Sequence, residues 1–144
     1  MLERRHALKL GGDMCKAFED IEAYTIGAIE GYCIGGASSL AASLDYRIMG
    51  RSGHMRLPEI PLGMNMSWQT IPRLVAQIGP QRTKQYVILG EKVFADDALD
   101  WGLIEEFAED GEALTRAEAL AVRVDALPPI AVRMSKQSVN AVAN

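Results

Sequence analysis

The sequence predicts an α/β fold, on three observations. Short β-branched stretches alternate with helix-periodic ones, the last third is mostly helix-periodic, and no internal repeat or low-complexity linker interrupts the chain. Leu10, Met14, Ala17, Phe18 and Ile21 recur at helical spacing, which predicts an amphipathic helix over residues 3–20. Residues 24–30 are rich in β-branched and aromatic side chains and predict a strand. Gly35 and Gly36 break the extended run, and residues 37–43 follow as a helix whose small side chains let a backbone approach closely. Residues 46–49 and 54–57 predict two further short strands.

Thr70 with Pro72 marks a helix start and Gly79 its end; Pro80 opens the next helix, which runs to Gly90. Residues 95–101 form a short helix closed by Gly102, and 103–107 a strand. Residues 112–126 make an amphipathic helix with Leu114, Ala117, Leu120, Ala121 and Val124 on one face. Pro128 and Pro129 stop it, and residues 130–142 form the last helix.

Composition narrows the function. Hydrophobic residues are 49% of 144, so either the core is large or a partner covers apolar surface; the partner is the favoured reading. Net charge is −4 and no basic run occurs, which argues against a nucleic-acid ligand. Cys15 and Cys33 are too far apart for a zinc pair, and with only His6 and His54 to add, no metal site is expected. Two cysteines make no disulfide framework, so a reducing cytoplasm is expected. The N-terminal ten residues lack the apolar core of a secretory signal, and no apolar run reaches membrane-spanning length.

The chemistry concentrates between Ala28 and Gly63. A glycine pair between strand and helix leaves backbone N–H groups without intrahelical acceptors, able to bind a phosphate, a carboxylate or a developing oxyanion. The competing reading is a tight turn that binds nothing. Neither G-x-G-x-x-G nor a P-loop lysine is present, so nucleotide-phosphate motifs are excluded. Glu59 stands between Pro58 and Pro61, which stiffen its loop and so fix where the carboxylate points. A solvated surface carboxylate is the competing reading there; a base must first lie within reach of its proton.

These motifs resemble the crotonase (enoyl-CoA hydratase/isomerase) superfamily. Glu30-Gly31-Tyr32-Cys33-Ile34-Gly35-Gly36-Ala37-Ser38-Ser39-Leu40 is similar to that family's N-G-x-x-x-G-G-G-x-E-L segment. Asp45-Tyr46-Arg47-Ile48-Met49 and Pro58-Glu59-Ile60-Pro61-Leu62-Gly63 are similar to its D-x-x-x-A and P-E-x-x-x-G segments. The stretch IPRLVAQIGPQRTKQYVILGEKVFADDALDWGLIEE is similar to its helical region, so the match spans nearly the whole chain.

The resemblance implies a crotonase-like α/β spiral, incomplete at its N-terminal side, with a helical C-terminal third. It divides into a partial core over residues 1–90 and a mainly helical region over 91–144. It implies an acyl-CoA substrate and no separate cofactor, coenzyme A arriving as the thioester. It also implies a homo-oligomer, a trimer or hexamer. Gly36 falls on an oxyanion-hole donor and Glu59 on the second catalytic glutamate. The first glutamate falls on Ser39, a poor acid and base, so a double-bond shift by one carboxylate is expected before water addition. Met64, Met66 and Trp68, with Ser39, are candidate lining of an acyl pocket; ordinary core packing is the alternative for the methionines, and a plain helix position for Ser39.

No segment like the family's A-x-A-G-x-D loop, which supplies the first oxyanion donor, occurs here, nor do its closing helices. The chain is therefore expected to be an internal portion of such a protein, with little or no turnover alone. Two alternatives stay open: a silent fragment or interaction module, and a hydratase or another thioester reaction of the superfamily.

Overall fold

The computed structural model describes the backbone of residues 2–143 and the side chains of residues 9–143. The reading of the N-terminus as no secretory signal rests largely on residues 1–8, and His6 is among them; their side chains lie outside the described residues. The chain runs α1 (Leu2–Glu19), β1 (Ile26–Ile29), β2 (Tyr32–Ile34), α2 (Gly36–Ala41), β3 (Tyr46–Gly50) and β4 (His54–Arg56). It continues α3 (Thr70–Leu89), β5 (Val93–Phe94), α4 (Ala95–Trp101), β6 (Glu106–Ala108), α5 (Ala113–Asp125) and α6 (Pro129–Ala143).

Two three-stranded sheets result. In one, β3 lies between β1 and β6, all parallel, with Ile26 opposite Tyr46 and Ile48 opposite Glu106. In the other, β4 pairs in parallel with β2 and antiparallel with β5. The sequence reading carried one strand to Glu30 and missed both β2 and β5. Gly31, at φ 67, takes a left-handed turn that sends the next three residues into the second sheet. A two- or three-residue strand is too short to show a period, so only its partner defines it.

The main core gathers Met49, Met55, Leu57, Leu74, Tyr86, Leu103 and Ile104 between the sheets and α3–α4. Gly79 (φ 74, ψ 166) breaks α3 into two helical segments, as the Gly79-Pro80 pair predicts. Arg47 is buried within β3, where its guanidinium donates to the carbonyls of Ala41 (3.1 Å) and Leu44 (2.7 Å) and pairs with Glu105. Lys136 of α6 is likewise buried, bonding Asp45 (2.6 Å) and the Ala23 carbonyl (2.9 Å), which docks α6 beside the entries to β1 and β3.

Two helix faces differ from expectation. Among the described side chains of α1 the buried positions are Gly11, Cys15 and Glu19, while Leu10 (59% exposed), Met14 and Phe18 point outward, as does Ile21 just past the helix end. Glu19 is buried because Arg73 of α3 meets it, Nε to Oε2 at 2.7 Å. On α5, Ala113 and Ala117 pack onto β1, β3 and β6 through Ile48 and Ala108, whereas Leu114 is 60% exposed. A helix lying this close to a sheet requires small residues at the contact, which displaces the larger apolar face outward.

Candidate functional site

The glycine turn is clamped between strands β2 and β4. The Gly35 N–H donates to the Arg56 carbonyl at 2.8 Å, and Gly35 adopts φ 59, ψ −119. The Ser38 hydroxyl lies within hydrogen-bonding distance of the carbonyls of Cys33 and Arg56 and accepts from the Tyr86 hydroxyl at 3.3 Å. Burial pushes the Tyr86 phenol far above its usual value, with the nearby Glu59 charge adding to the effect. Tyr86 therefore acts as a neutral donor. Nothing in the sequence had singled out Ser38 or Tyr86; the pairing spans 48 positions and only the fold brings it about.

Gly36 opens α2, so its N–H has no intrahelical acceptor, and among the described residues it donates to no backbone carbonyl. The Glu59 loop is folded on itself: Met64 N–H donates to the Glu59 carbonyl (2.8 Å), Gly63 N–H to Ile60 (2.9 Å) and Leu62 N–H to Pro58 (3.1 Å). That compact turn brings the carboxylate back to the glycines. Oε1 lies so near the α-carbon of Gly35 that a Cβ there would stand 3.1 Å away. Oε2 is buried and has no hydrogen-bond partner among the described residues.

Ser39 is fully buried, its N–H (3.0 Å) and hydroxyl (3.4 Å) both directed at the Gly35 carbonyl. Met66 is buried in the main core. Met64 is 51% exposed. Trp68 is half-buried, and its indole lies across Gly36 on one side and Gly11 of α1 on the other. The structure thus brings Gly36, Glu59 and Trp68 to one place, with Ser39 one helical turn behind. Among the described residues no three His, Cys, Asp or Glu side chains are grouped as metal ligands.

A groove of about 780 Å³ runs between α2–α3 and α5–α6, walled by Leu120, Val132 and Val139. A second, of about 810 Å³, lies beside it at Tyr24, Leu127 and Ile130. Neither includes Gly35, Gly36 or Glu59. The carboxylates lining the first groove, Glu19 and Asp45, are ion-paired with Arg73 and Lys136, whereas at the glycine turn a buried carboxylate oxygen has no partner among the described residues.

The fold and this turn can be set beside known proteins. The model of the enoyl-CoA hydratase/isomerase family matches residues 9–144. This chain belongs to that family. A short-chain-enoyl-CoA hydratase of Clostridium acetobutylicum is 30% identical over 131 residues, covering 91% of this chain and 50% of the relative. A crotonyl-CoA hydratase of Syntrophomonas wolfei is 30% identical over 139 residues, covering 96% and 54%. Among solved structures, Pseudomonas aeruginosa DspI superposes with a TM-score of 0.92 at 31% identity, over 96% of this chain and 57% of that one. An enoyl-CoA hydratase of Bacillus anthracis gives 0.92 at 28%, over 96% and 54%. The crotonase fold with its helical C-terminal part is therefore the fold of this enoyl-CoA hydratase/isomerase family member. The chain spans about half the length of the relatives it matches. No helix among the described residues is long and apolar enough to cross a membrane.

Proposed function

We propose that this family member carries the base and one oxyanion donor of a site acting on an enoyl-CoA thioester, with double-bond isomerisation as its reaction. Glu59 removes a proton from the carbon next to the thioester of a 3-enoyl-CoA. The electron pair moves to the carbonyl oxygen, which the Gly36 N–H receives. Glu59 then returns the proton two carbons along and the pair flows back, leaving a 2-enoyl-CoA. One carboxylate serves both transfers.

The observation that carries this reading is the contrast between two side chains on the same turn. Glu59 has a buried oxygen with no partner, free to take a proton, while the Ser39 hydroxyl is turned onto the Gly35 carbonyl. Water addition in this family uses a second carboxylate at the Ser39 position. Hydration remains the second reading, favoured by the hydratase names of two relatives.

The partner oxyanion donor of the family comes from an A-x-A-G-x-D-like loop not found in these 144 residues. A missing donor costs on the order of 10²- to 10³-fold in rate, so this chain alone turns over slowly, and the silent-fragment reading differs from ours in predicting none. Exposed Leu10, Phe18 and Leu114 support association with further copies as a trimer or hexamer.

The test presents the chain with trans-3-hexenoyl-CoA and, separately, crotonyl-CoA, following ultraviolet absorbance of the conjugated thioester. Absorbance rising in the first and holding in the second supports isomerisation. Hydration of crotonyl-CoA outpacing isomerisation overturns it.

A further inference from the structure

Tyr86 is fully buried in the main core, yet it carries a hydroxyl. A phenylalanine would fill that space without the cost of taking a polar group out of water. The hydroxyl finds its partner in Ser38 of α2, to which it donates at 3.3 Å. Ser38 is buried too, and its own proton serves the backbone. The serine hydroxyl reaches the Cys33 carbonyl on β2 and the Arg56 carbonyl on β4, the latter at 3.2 Å.

The two halves of the candidate site leave from these strand ends. Gly36 lies three residues after Cys33 and two before Ser38, and Glu59 lies three after Arg56. The Arg56 carbonyl already receives the Gly35 N–H at 2.8 Å. A single bond leaves two segments free to pivot; a second at the same carbonyl removes that freedom. Beyond Arg56 the path to Glu59 is short and stiff, because Leu57 is buried and Pro58 fixes its own φ. The charge of Glu59 is also felt at the Tyr86 phenol.

We propose that Ser38, oriented by Tyr86, is a positioning residue that fixes the separation between the Gly36 N–H and the Glu59 carboxylate. Tyr86 donates to the serine oxygen, which leaves the serine proton directed at the two carbonyls. Ser38 thereby locks the donor-bearing turn to the strand that delivers the base, and neither Ser38 nor Tyr86 touches the thioester. A misplacement of about 1 Å between reacting groups costs on the order of 10²-fold in rate. The inference rests on the reading of Gly36 and Glu59 as an acyl-thioester site.

The test has two readouts at saturating butyryl-CoA. Exchange of its C2 proton in deuterated water reads Glu59, and the isotope-edited infrared stretch of its bound carbonyl reads Gly36. Both are measured on wild type, Tyr86→Phe and Ser38→Ala, with calorimetric affinity and circular dichroism beside them. We expect exchange to fall roughly 10²-fold in Ser38→Ala and about tenfold in Tyr86→Phe, with affinity within about threefold of wild type. The carbonyl stretch should move towards that of the free thioester in both variants. A purely structural role would lower stability but leave exchange and stretch as in wild type; that result in the folded variants overturns the inference. If Ser38→Ala loses its fold, Tyr86→Phe decides. A folded wild type that neither exchanges the proton nor shifts the stretch overturns the acyl-thioester reading, and the inference with it.

Discussion

An oxygen of the Glu59 carboxylate faces Gly35 so closely that a Cβ added to the glycine would stand 3.1 Å from it, tighter than an ordinary contact. Two segments 24 positions apart meet there, each fixed by its own hydrogen bonds: Gly35 by the Arg56 carbonyl, Glu59 by the turn that follows it. The carboxylate is thus positioned by backbone, as the proposed proton transfer, which tolerates little error in distance, would require.

Gly35→Ala tests that relationship. The substitution puts a side chain on a residue at φ 59 and into the carboxylate. We expect a loss of about 1–2 kcal/mol in urea unfolding, together with weaker proton transfer because Glu59 is pushed away. Unchanged stability would show that the turn relaxes freely.

Glu59→Gln and Ser39→Ala should part company. An amide keeps the shape of Glu59 but cannot accept a proton, so exchange of the C2 proton of butyryl-CoA in deuterated water should fall by roughly 10²- to 10⁴-fold. Ser39→Ala removes only a long hydrogen bond to Gly35 and should cost about 1 kcal/mol or less, with exchange intact. Exchange lost in Ser39→Ala but kept in Glu59→Gln would reverse the assignment.

Glu30 ties the end of β1 to the start of α5. Its carboxylate accepts from the N–H groups of Gly111 (3.1 Å) and Ala113 (3.0 Å), capping the start of α5. Glu30→Ala should cost about 1–2 kcal/mol and speed amide exchange through the first turn of α5. Exchange unchanged there would mean that the cap contributes nothing.

His54 gives the protein an acid-sensitive component. It is buried between the Tyr32 and Phe94 rings (centroids 5.3 and 5.5 Å), and its Nε2 has no partner among the described residues. Burial, with Lys92 and Arg56 nearby, lowers its pKa below the usual 6.5. The unfolded chain therefore binds the proton first as pH falls. The associated stability is full above about 6.5 and is lost as pH drops through the folded value. Urea unfolding near neutral pH and about one unit below the imidazole value should show a larger drop in wild type than in His54→Gln.

Much of this was legible along the chain, and the misses share a cause. The Gly79-Pro80 break, the Gly102 stop and the Pro128-Pro129 stop after α5 were local signals, because φ preferences belong to single residues. β2 and β5 were not legible, since strands of three and two residues exist only by pairing with β4. The α1 face was misjudged because hydropathy cannot register that Glu19 has Arg73 to meet, or that Gly11 is where Trp68 enters.

The same division holds for the site. Residue types and their spacing along the chain were enough to determine the α/β class, the family resemblance and the choice of Gly36 and Glu59 as candidates, because turn chemistry and motif spacing are properties of neighbours in sequence. Which oxygen of Glu59 is left unpartnered, that Ser39 faces the Gly35 carbonyl, and that Trp68 fills the slot between two helices were decided only by the tertiary structure. Each depends on a distance between segments far apart in the chain, and such distances are set by packing, on which local sequence has no hold.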